Sequence, residues 1–138
     1  MTYACAVAST VFTRIINSEL PGTFVHRDDK CVVFMTIDPI TTGHSLVVPI
    51  SEVDQWTDLS EDLNRHLFKV AQTVGEATKR AFNCERIALV IAGYEIPHCH
   101  LHVIPSNSMA DLNFANARTN VPRPELEQAA ARIIAELR

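Results

Sequence analysis

The chain has 138 residues, 47% hydrophobic and 20% charged, enough for one compact domain with a core and too few for two of ordinary size. Seven Pro and four Gly exclude a low-complexity chain, and no apolar run approaches the ~20 residues of a membrane-spanning helix. Twelve Lys and Arg against sixteen Asp and Glu give a net charge of -4; the basic residues are scattered, which argues against a long nucleic acid, whose phosphates need pooled positive charge.

Residues 1–9 read as a ragged tail, because they lack both the positive start and the apolar stretch of a secretory signal. A cytoplasmic location follows by default. Cys5, Cys31, Cys84 and Cys99 allow two disulfides in arithmetic, yet no C-x-x-C is present and a domain this size needs no staples, so reduced thiols are expected.

Ser9 or Thr10 is placed to cap a short helix over Val11 to Asn17, closed by the turn Pro21-Gly22. Thr23 to Arg27 and Lys30 to Ile37 predict two strands around an Asp28-Asp29 turn, since β-branched and aromatic residues dominate both. After the turn chemistry of residues 38–43, His44 to Pro49 reads as a third strand. Leu63, Leu67, Val70, Val74, Ala77 and Ala81 then alternate by fours and threes, one face of a helix from Ser60 to about Phe82. Gly75 inside it costs about 1 kcal/mol relative to Ala, which close packing against another backbone would compensate.

Arg86 to Ala92 and His98 to Ile104 are two further strands, the second bounded by Pro97 and Pro105. A loop to Pro122 precedes a last helix starting near Pro124, with Leu126, Ala130, Ile133, Ile134 and Leu137 as its apolar positions. Most connections are too short for parallel crossovers, so the pattern predicts an α+β fold: an antiparallel sheet of about five strands, one long helix and a C-terminal helix.

The chemistry concentrates in His98-Cys-His-Leu-His102. In a strand, His98, His100 and His102 share one face, with Cys99 and Leu101 on the other. Three of six histidines on one face suit two chemistries. They can hold zinc with an open position for water, or a neutral imidazole can attack phosphorus while its neighbours polarise oxygens and protonate the leaving group. Periodicity leaves both open. His26 and His66 lack a ligand pattern and are expected to have no chemical role. Trp56 is expected to pack its loop, with a lid or base-stacking role as the alternative.

The run H-x-H-x-H, with Gly43-His-Ser-Leu-Val-Val-Pro49 upstream and Phe12-Thr-Arg-Ile-Ile-Asn-Ser-Glu-Leu-Pro21 near the start, resembles the histidine-triad (HIT) family of nucleotide-binding hydrolases. The resemblance covers about residues 10 to 105, within a single domain over 1–138 whose segment 106–138 is variable. It implies a cytoplasmic homodimer, joined through the long helix and a neighbouring strand, acting on a small nucleotide. The implied activity is that of a phosphoramidase-like hydrolase or nucleotidyl transferase that cleaves nucleoside monophosphate from phosphoramidates or acyl phosphates. His100 would be the nucleophile, His102 would contact phosphate and protonate the leaving group, His98 would orient the strand and His44 would support the nucleophile. Phe12, Ile16, Phe34 and Ile37 would line a base pocket, although each also suits a core.

This sequence departs from that pattern in three places. A structural zinc, held in many bacterial members by two Cys and two His, is not expected, because Thr10, Thr13 and Glu52 stand at three of its positions; no cofactor is needed for the implied chemistry. The ribose-binding acid falls at Thr36, with Asp38 two residues away as a substitute. Tyr94 and Glu95 replace the polar residues that hold phosphate or leaving group, and a carboxylate there disfavours a bulky anionic leaving group. A non-catalytic nucleotide-binding or interaction module is therefore the alternative, followed by a zinc hydrolase using the triad.

Overall fold

The structure, a computed structural model, describes residues 9–138; most of the expected tail, and Cys5, lie outside the described residues. The elements run α1 (Val11–Ile16), β1 (Phe24–Arg27), β2 (Cys31–Met35), β3 (Ser45–Pro49), α2 (Glu61–Phe82), β4 (Arg86–Val90), β5 (Leu101–Ser106) and α3 (Arg123–Ala135), with single 3-10 turns at Trp56–Asp58, Met109–Leu112 and Phe114–Asn116. The five strands form one antiparallel sheet in the order β1-β2-β3-β5-β4. This is the expected α+β architecture. No helix among the described residues is long and apolar enough to cross a membrane.

Local chemistry explains the helix ends. Thr10 caps α1 by accepting from the Thr13 amide, and Ser60 caps α2 by accepting from Leu63, which satisfies amides that an uncapped first turn leaves orphaned. Glu61 and Asp62 open α2, Lys79 and Arg80 close it, and Asn83 stops it in the left-handed conformation, an order of charge that complements the helix dipole.

The alternation of side chains divides the sheet into two faces. Val33, Met35, Val47, Leu101 and Val103 meet α2 and α3 in the larger core. Val32, Phe34, Leu46 and Val48 pack with Phe12 and Ile16 of α1 on the other face. The α2 stripe is spent on the first core: Leu67, Val70, Val74 and Ala77 are buried, with Leu63 and Ala81 packed at the margin. Full burial of a residue such as Leu67 stabilises by about 1.5–3 kcal/mol. Gly75 lets α2 lie close to β4, but it faces the Ile87 side chain, 3.2 Å from where a Cβ would sit, and not a backbone. In α3, Leu126, Ala130 and Ile133 are buried as expected, while Ile134 is exposed and Leu137 lies past the helix end.

Several boundaries are shorter than the sequence predicts. The last strand begins at Leu101 and not His98, because the Cys99 amide donates to Val53 O (2.7 Å) and the His98 amide to Ile96 O (2.8 Å), leaving three β3–β5 pairs from Val47↔Leu101 to Ser45↔Val103. Pro105 sits inside β5, paired with Ile87; it is tolerated there because the β3 ladder has already ended at Val103. Trp56 does not bury in its loop: its 3-10 turn leaves the residue 44% exposed.

Gly43, just before His44, has φ +99°, and a Cβ there would lie 2.6 Å from the Phe82 ring. Both the left-handed backbone and the ring of α2 require glycine. Gly43→Ala is expected to destabilise by roughly 1–3 kcal/mol, seen in urea unfolding as a lower midpoint with unchanged slope.

Candidate active site

The α1 face of the sheet carries the imidazoles. His44 precedes β3 and His102 lies opposite Leu46 in β5, so neighbouring strands bring the two rings together, with His44 Nε2 2.9 Å from His102 Nδ1. His100 is adjacent, its ring centroid 4.8 Å from that of His102. The Phe12 ring of α1 meets His100 edge-on at 4.8 Å and His98 at 5.6 Å.

Backbone groups fix which nitrogen of each ring carries the proton. The Ile40 amide donates to His44 Nδ1 at 3.1 Å, so His44 is protonated on Nε2 and donates to His102 Nδ1. His102 is then protonated on Nε2. The carbonyl of His98 lies 2.8 Å from His100 Nδ1; a carbonyl only accepts, so His100 carries its proton on Nδ1 and keeps a lone pair on Nε2. Burial pushes His44 down to about 3 and His102 down to about 4, with repulsion from neighbouring imidazoles adding to both. Burial also lowers His100, against the hydrogen bond to the His98 carbonyl. These rings are neutral at physiological pH.

His98 shares the α1 side, but its ring nitrogens are engaged outside the His44–His102 pair. It is fully buried, donates from Nε2 to Pro49 O (2.7 Å) and accepts at Nδ1 from the Thr10 hydroxyl (2.6 Å). Both nitrogens are occupied, so His98, His100 and His102 do not form a three-imidazole metal centre. The two-residue alternation persists through residues 98–100, with Cys99 in the opposite core, but strand pairing does not, and the His98 ring is taken up by Thr10 and Pro49.

Thr10, Thr13 and Glu52, which the resemblance put at three positions of a zinc site, do converge, with His98 beside them. The Thr10 amide donates to Glu52 Oε1 at 2.9 Å, the Thr13 amide to Thr10 Oγ1 at 3.2 Å, and the two hydroxyls lie 3.3 Å apart. Hydrogen bonds from Thr13 and the Thr10 amide hold the Glu52 carboxyl below its usual range. Two hydroxyls, a carboxylate and an imidazole already accepting a proton do not fit a structural zinc site, which uses thiolate and free imidazole. Hydrogen bonds link α1 to the triad here instead.

The residues expected at a nucleotide pocket are dispersed. Phe12, Ile16 and Phe34 are buried together as the small core, with only the Phe12 edge reaching the triad. Ile37 is exposed. Asp38 accepts from the Asn120 amide at 3.0 Å, and its own amide donates to Thr36 Oγ1 at 3.2 Å, so both residues brace the turn before His44. Tyr94 is 99% exposed and Glu95 is exposed, leaving their loop open to solvent. Cys99 turns into the larger core, where burial and then Asp54 raise its thiol to about 11, which rules it out as a nucleophile at neutral pH. Cys31, Cys84 and Cys99 are all free thiols.

Sequence reasoning missed Phe114. Its ring stands edge-on to His102 at 4.8 Å and 6.3 Å from His44, carried by a 3-10 turn in the segment expected to be a variable loop. No periodicity marks such a residue.

A buried imidazole pair with fixed protonation on an antiparallel sheet defines a histidine-triad site. The HIT domain matches residues 17–109 of this chain, which belongs to the HIT family. An uncharacterized HIT-like protein of Borreliella burgdorferi is 34% identical over 102 residues, covering 69% of this chain and 73% of that one. Among solved structures, a HIT-like protein involved in cell-cycle regulation from Bartonella henselae superimposes with TM-score 0.83 at 27% identity, covering 99% of this chain and 100% of the other. A hypothetical histidine triad nucleotide-binding protein from Sulfolobus tokodaii gives 0.78 at 27%, covering 91% and 89%.

The proton positions are directly measurable. Nitrogen-resolved NMR of the imidazoles near pH 6 is expected to show His44, His98 and His102 protonated on Nε2 and His100 on Nδ1. His44 and His102 should be neutral where a free histidine is largely charged, and His98 and His100 should titrate below a free histidine. A cationic His44 or His102 at that pH contradicts the assignment.

Proposed function

We propose that this chain is a nucleotide hydrolase or nucleotidyl transferase that releases nucleoside monophosphate from phosphoramidates, acyl phosphates or similar small derivatives. The observation that carries this reading is the complementary protonation of two adjacent rings: His100 offers a lone pair at Nε2 and His102 offers a proton at Nε2. Membership in a family with a nucleotide-binding neighbour from Sulfolobus tokodaii supports it.

In this mechanism His100 Nε2 attacks the α-phosphorus, forming a P–N bond as the bond from phosphorus to the leaving group breaks. The His98 carbonyl stabilises the cation that develops on the ring through its bond to Nδ1–H. His102 gives its Nε2 proton to the departing group, and the bound phosphate, by its negative charge, favours the protonated imidazoles that form along the way. Water then attacks phosphorus, loses a proton to His102 and frees His100. No metal enters these steps.

The base is assigned to the side bounded by Phe12 and Ile37, with Thr36 and Asp38 near the ribose. Glu95 lies close enough to His100 to favour its cationic form and disfavours an anionic leaving group, which points to an amine over a carboxylate or polyphosphate. His100→Ala is expected to abolish release by roughly 10³-fold or more, assayed on nucleoside phosphoramidates and acyl nucleotides, while circular dichroism stays unchanged. Undiminished release by His100→Ala overturns the mechanism. Nucleotide binding without turnover in the wild type makes the chain a binding module.

A homodimer in the cytoplasm completes the reading. The α2 stripe is not the seam, because it covers the subunit's own sheet. What remains is a groove of about 770 Å3 on the outer side of α2 and β4, where Phe68 and Leu89 are about 40% exposed; β4 is also an edge of the sheet. A second copy would cover both the apolar surface and the unpaired edge. Light scattering is expected to give twice the 15.3 kDa chain mass, falling to one chain in Phe68→Asp; a wild-type monomer at micromolar concentration refutes the pairing.

A further inference from the structure

His26, Asp28, Cys31 and His66 come together at the turn between β1 and β2, where no role in the reaction reaches them. Asp28 makes the turn: its Oδ1 accepts from the amides of Lys30 and Cys31, both at 2.8 Å. Its other oxygen, Oδ2, receives His26 Nε2 at 2.7 Å and His66 Nε2, from α2, at 2.8 Å. The Cys31 thiol, fully buried, points at the same oxygen from 3.6 Å. Among the described residues, the ligand atoms of His26, Asp28 and Cys31 all lie within 4.8 Å of one another.

A purely structural tie between the hairpin and α2 needs one carboxylate and one imidazole. It does not need a second imidazole and a thiol converging on one oxygen. Nitrogen, oxygen and sulfur donors together match the borderline-soft preference of zinc. The partly exposed side chains of His26 (34%), Asp28 (23%) and His66 (26%) leave a path from solvent, and the buried Cys31 forms the floor.

We propose that His26, Asp28 and Cys31 bind a zinc-class divalent cation, with His66 positioning the Asp28 carboxylate from α2. Tetrahedral bonds of about 2.0–2.3 Å place ligand atoms roughly 3.3–3.8 Å apart, so the His26–Asp28 pair must open by only about 1 Å or slightly less. The thiol proton leaves to solvent, and the His26 proton moves from Nε2 to Nδ1 as Nε2 turns to the ion. Water takes the fourth position, and the bond from His66 is the outer-shell support that orients a ligating carboxylate. The ion joins the β1–β2 hairpin to the first turns of α2. The site is separate from the Thr10, Thr13, Glu52 and His98 cluster and does not draw on the triad.

Titration of the chelator-treated protein with cobalt(II) tests this without any assay of activity. One equivalent is expected to bind at micromolar concentration, with tetrahedral visible bands and a thiolate-to-cobalt transition in the near ultraviolet, both displaced by zinc. Cys31→Ser should remove the thiolate transition, and His26→Gln, on the partly exposed hairpin, should weaken binding by more than about tenfold. His66→Gln should weaken binding less and keep the transition, as suits a positioning residue. His100→Ala should leave the titration unchanged. Absence of binding, binding without a thiolate band, binding indifferent to His26→Gln, or loss of binding in His100→Ala each overturns the proposal.

Discussion

The contact on which the site depends is the pair of hydrogen bonds that immobilise His98. Its ring is held between the Thr10 hydroxyl at the start of α1 and the Pro49 carbonyl at the end of β3. Being fully buried, it has no water to substitute for either partner. With the ring pinned, the backbone at residues 98–100 departs from the strand, and the His98 carbonyl turns to His100 Nδ1. One residue thereby joins the helix, the sheet and the His100 ring. Thr10 serves twice, as helix cap and as donor to His98, so the short α1 is bound to the site by the group that starts it.

The division of the sheet into two faces supplies the electrostatic condition. The α2 and α3 face is saturated with aliphatic side chains, whereas the α1 face ends in imidazoles packed against aromatic rings. Burial there disfavours charge in His44, His100 and His102; His44 and His102 are joined in a relay that begins at the Ile40 amide, and His100 packs beside it, bonded to the His98 carbonyl. In the proposed reaction, neutral rings supply a nucleophile at no cost in deprotonation. They also make the site responsive to an anion, because a phosphate reverses the local balance of charge and stabilises a proton on the same rings. The backbone sets the direction of that response, since amide and carbonyl cannot exchange roles.

Much of this was legible in the sequence, for a physical reason. The stripe of α2, its Ser60 cap and the alternation of β2 and β3 are local, repeating consequences of helix and strand geometry. Parity also put Cys99 and Leu101 opposite His100 and His102. It also put His98 on the side of α1; what it missed is that the strand does not reach His98, because the Cys99 amide bonds to Val53 and not to β3, and a loop residue some forty-six positions upstream leaves no periodic trace. Asp28 meeting His66 across 38 positions was invisible for the same reason: the hairpin and α2 have separate local rules, and only their packing on Val33, Leu67 and Val70 brings those side chains together. Trp56 shows the reverse error, since a residue's usual burial says little about a single turn that happens to lie on the surface.

Phe114 extends that reasoning to the reaction. Of the three packed rings only His102 stands in a strand; His44 and His100 sit one residue before β3 and β5, where backbone hydrogen bonds to Ile40 and His98 still set their protons. Other neighbours of the rings come from irregular segments: Phe114, edge-on to His102, from a 3-10 turn, and Glu95, whose charge reaches His100, from an open loop. In the proposed reaction His102 hands its proton to the leaving group, so these segments would bound the space into which that group departs. An aromatic edge at His102 and a carboxylate acting on His100 suit a flat or cationic group better than a polyphosphate. The sheet and the backbone beside it hold the tautomers, and on that reading the loops, free to vary without disturbing them, select what leaves.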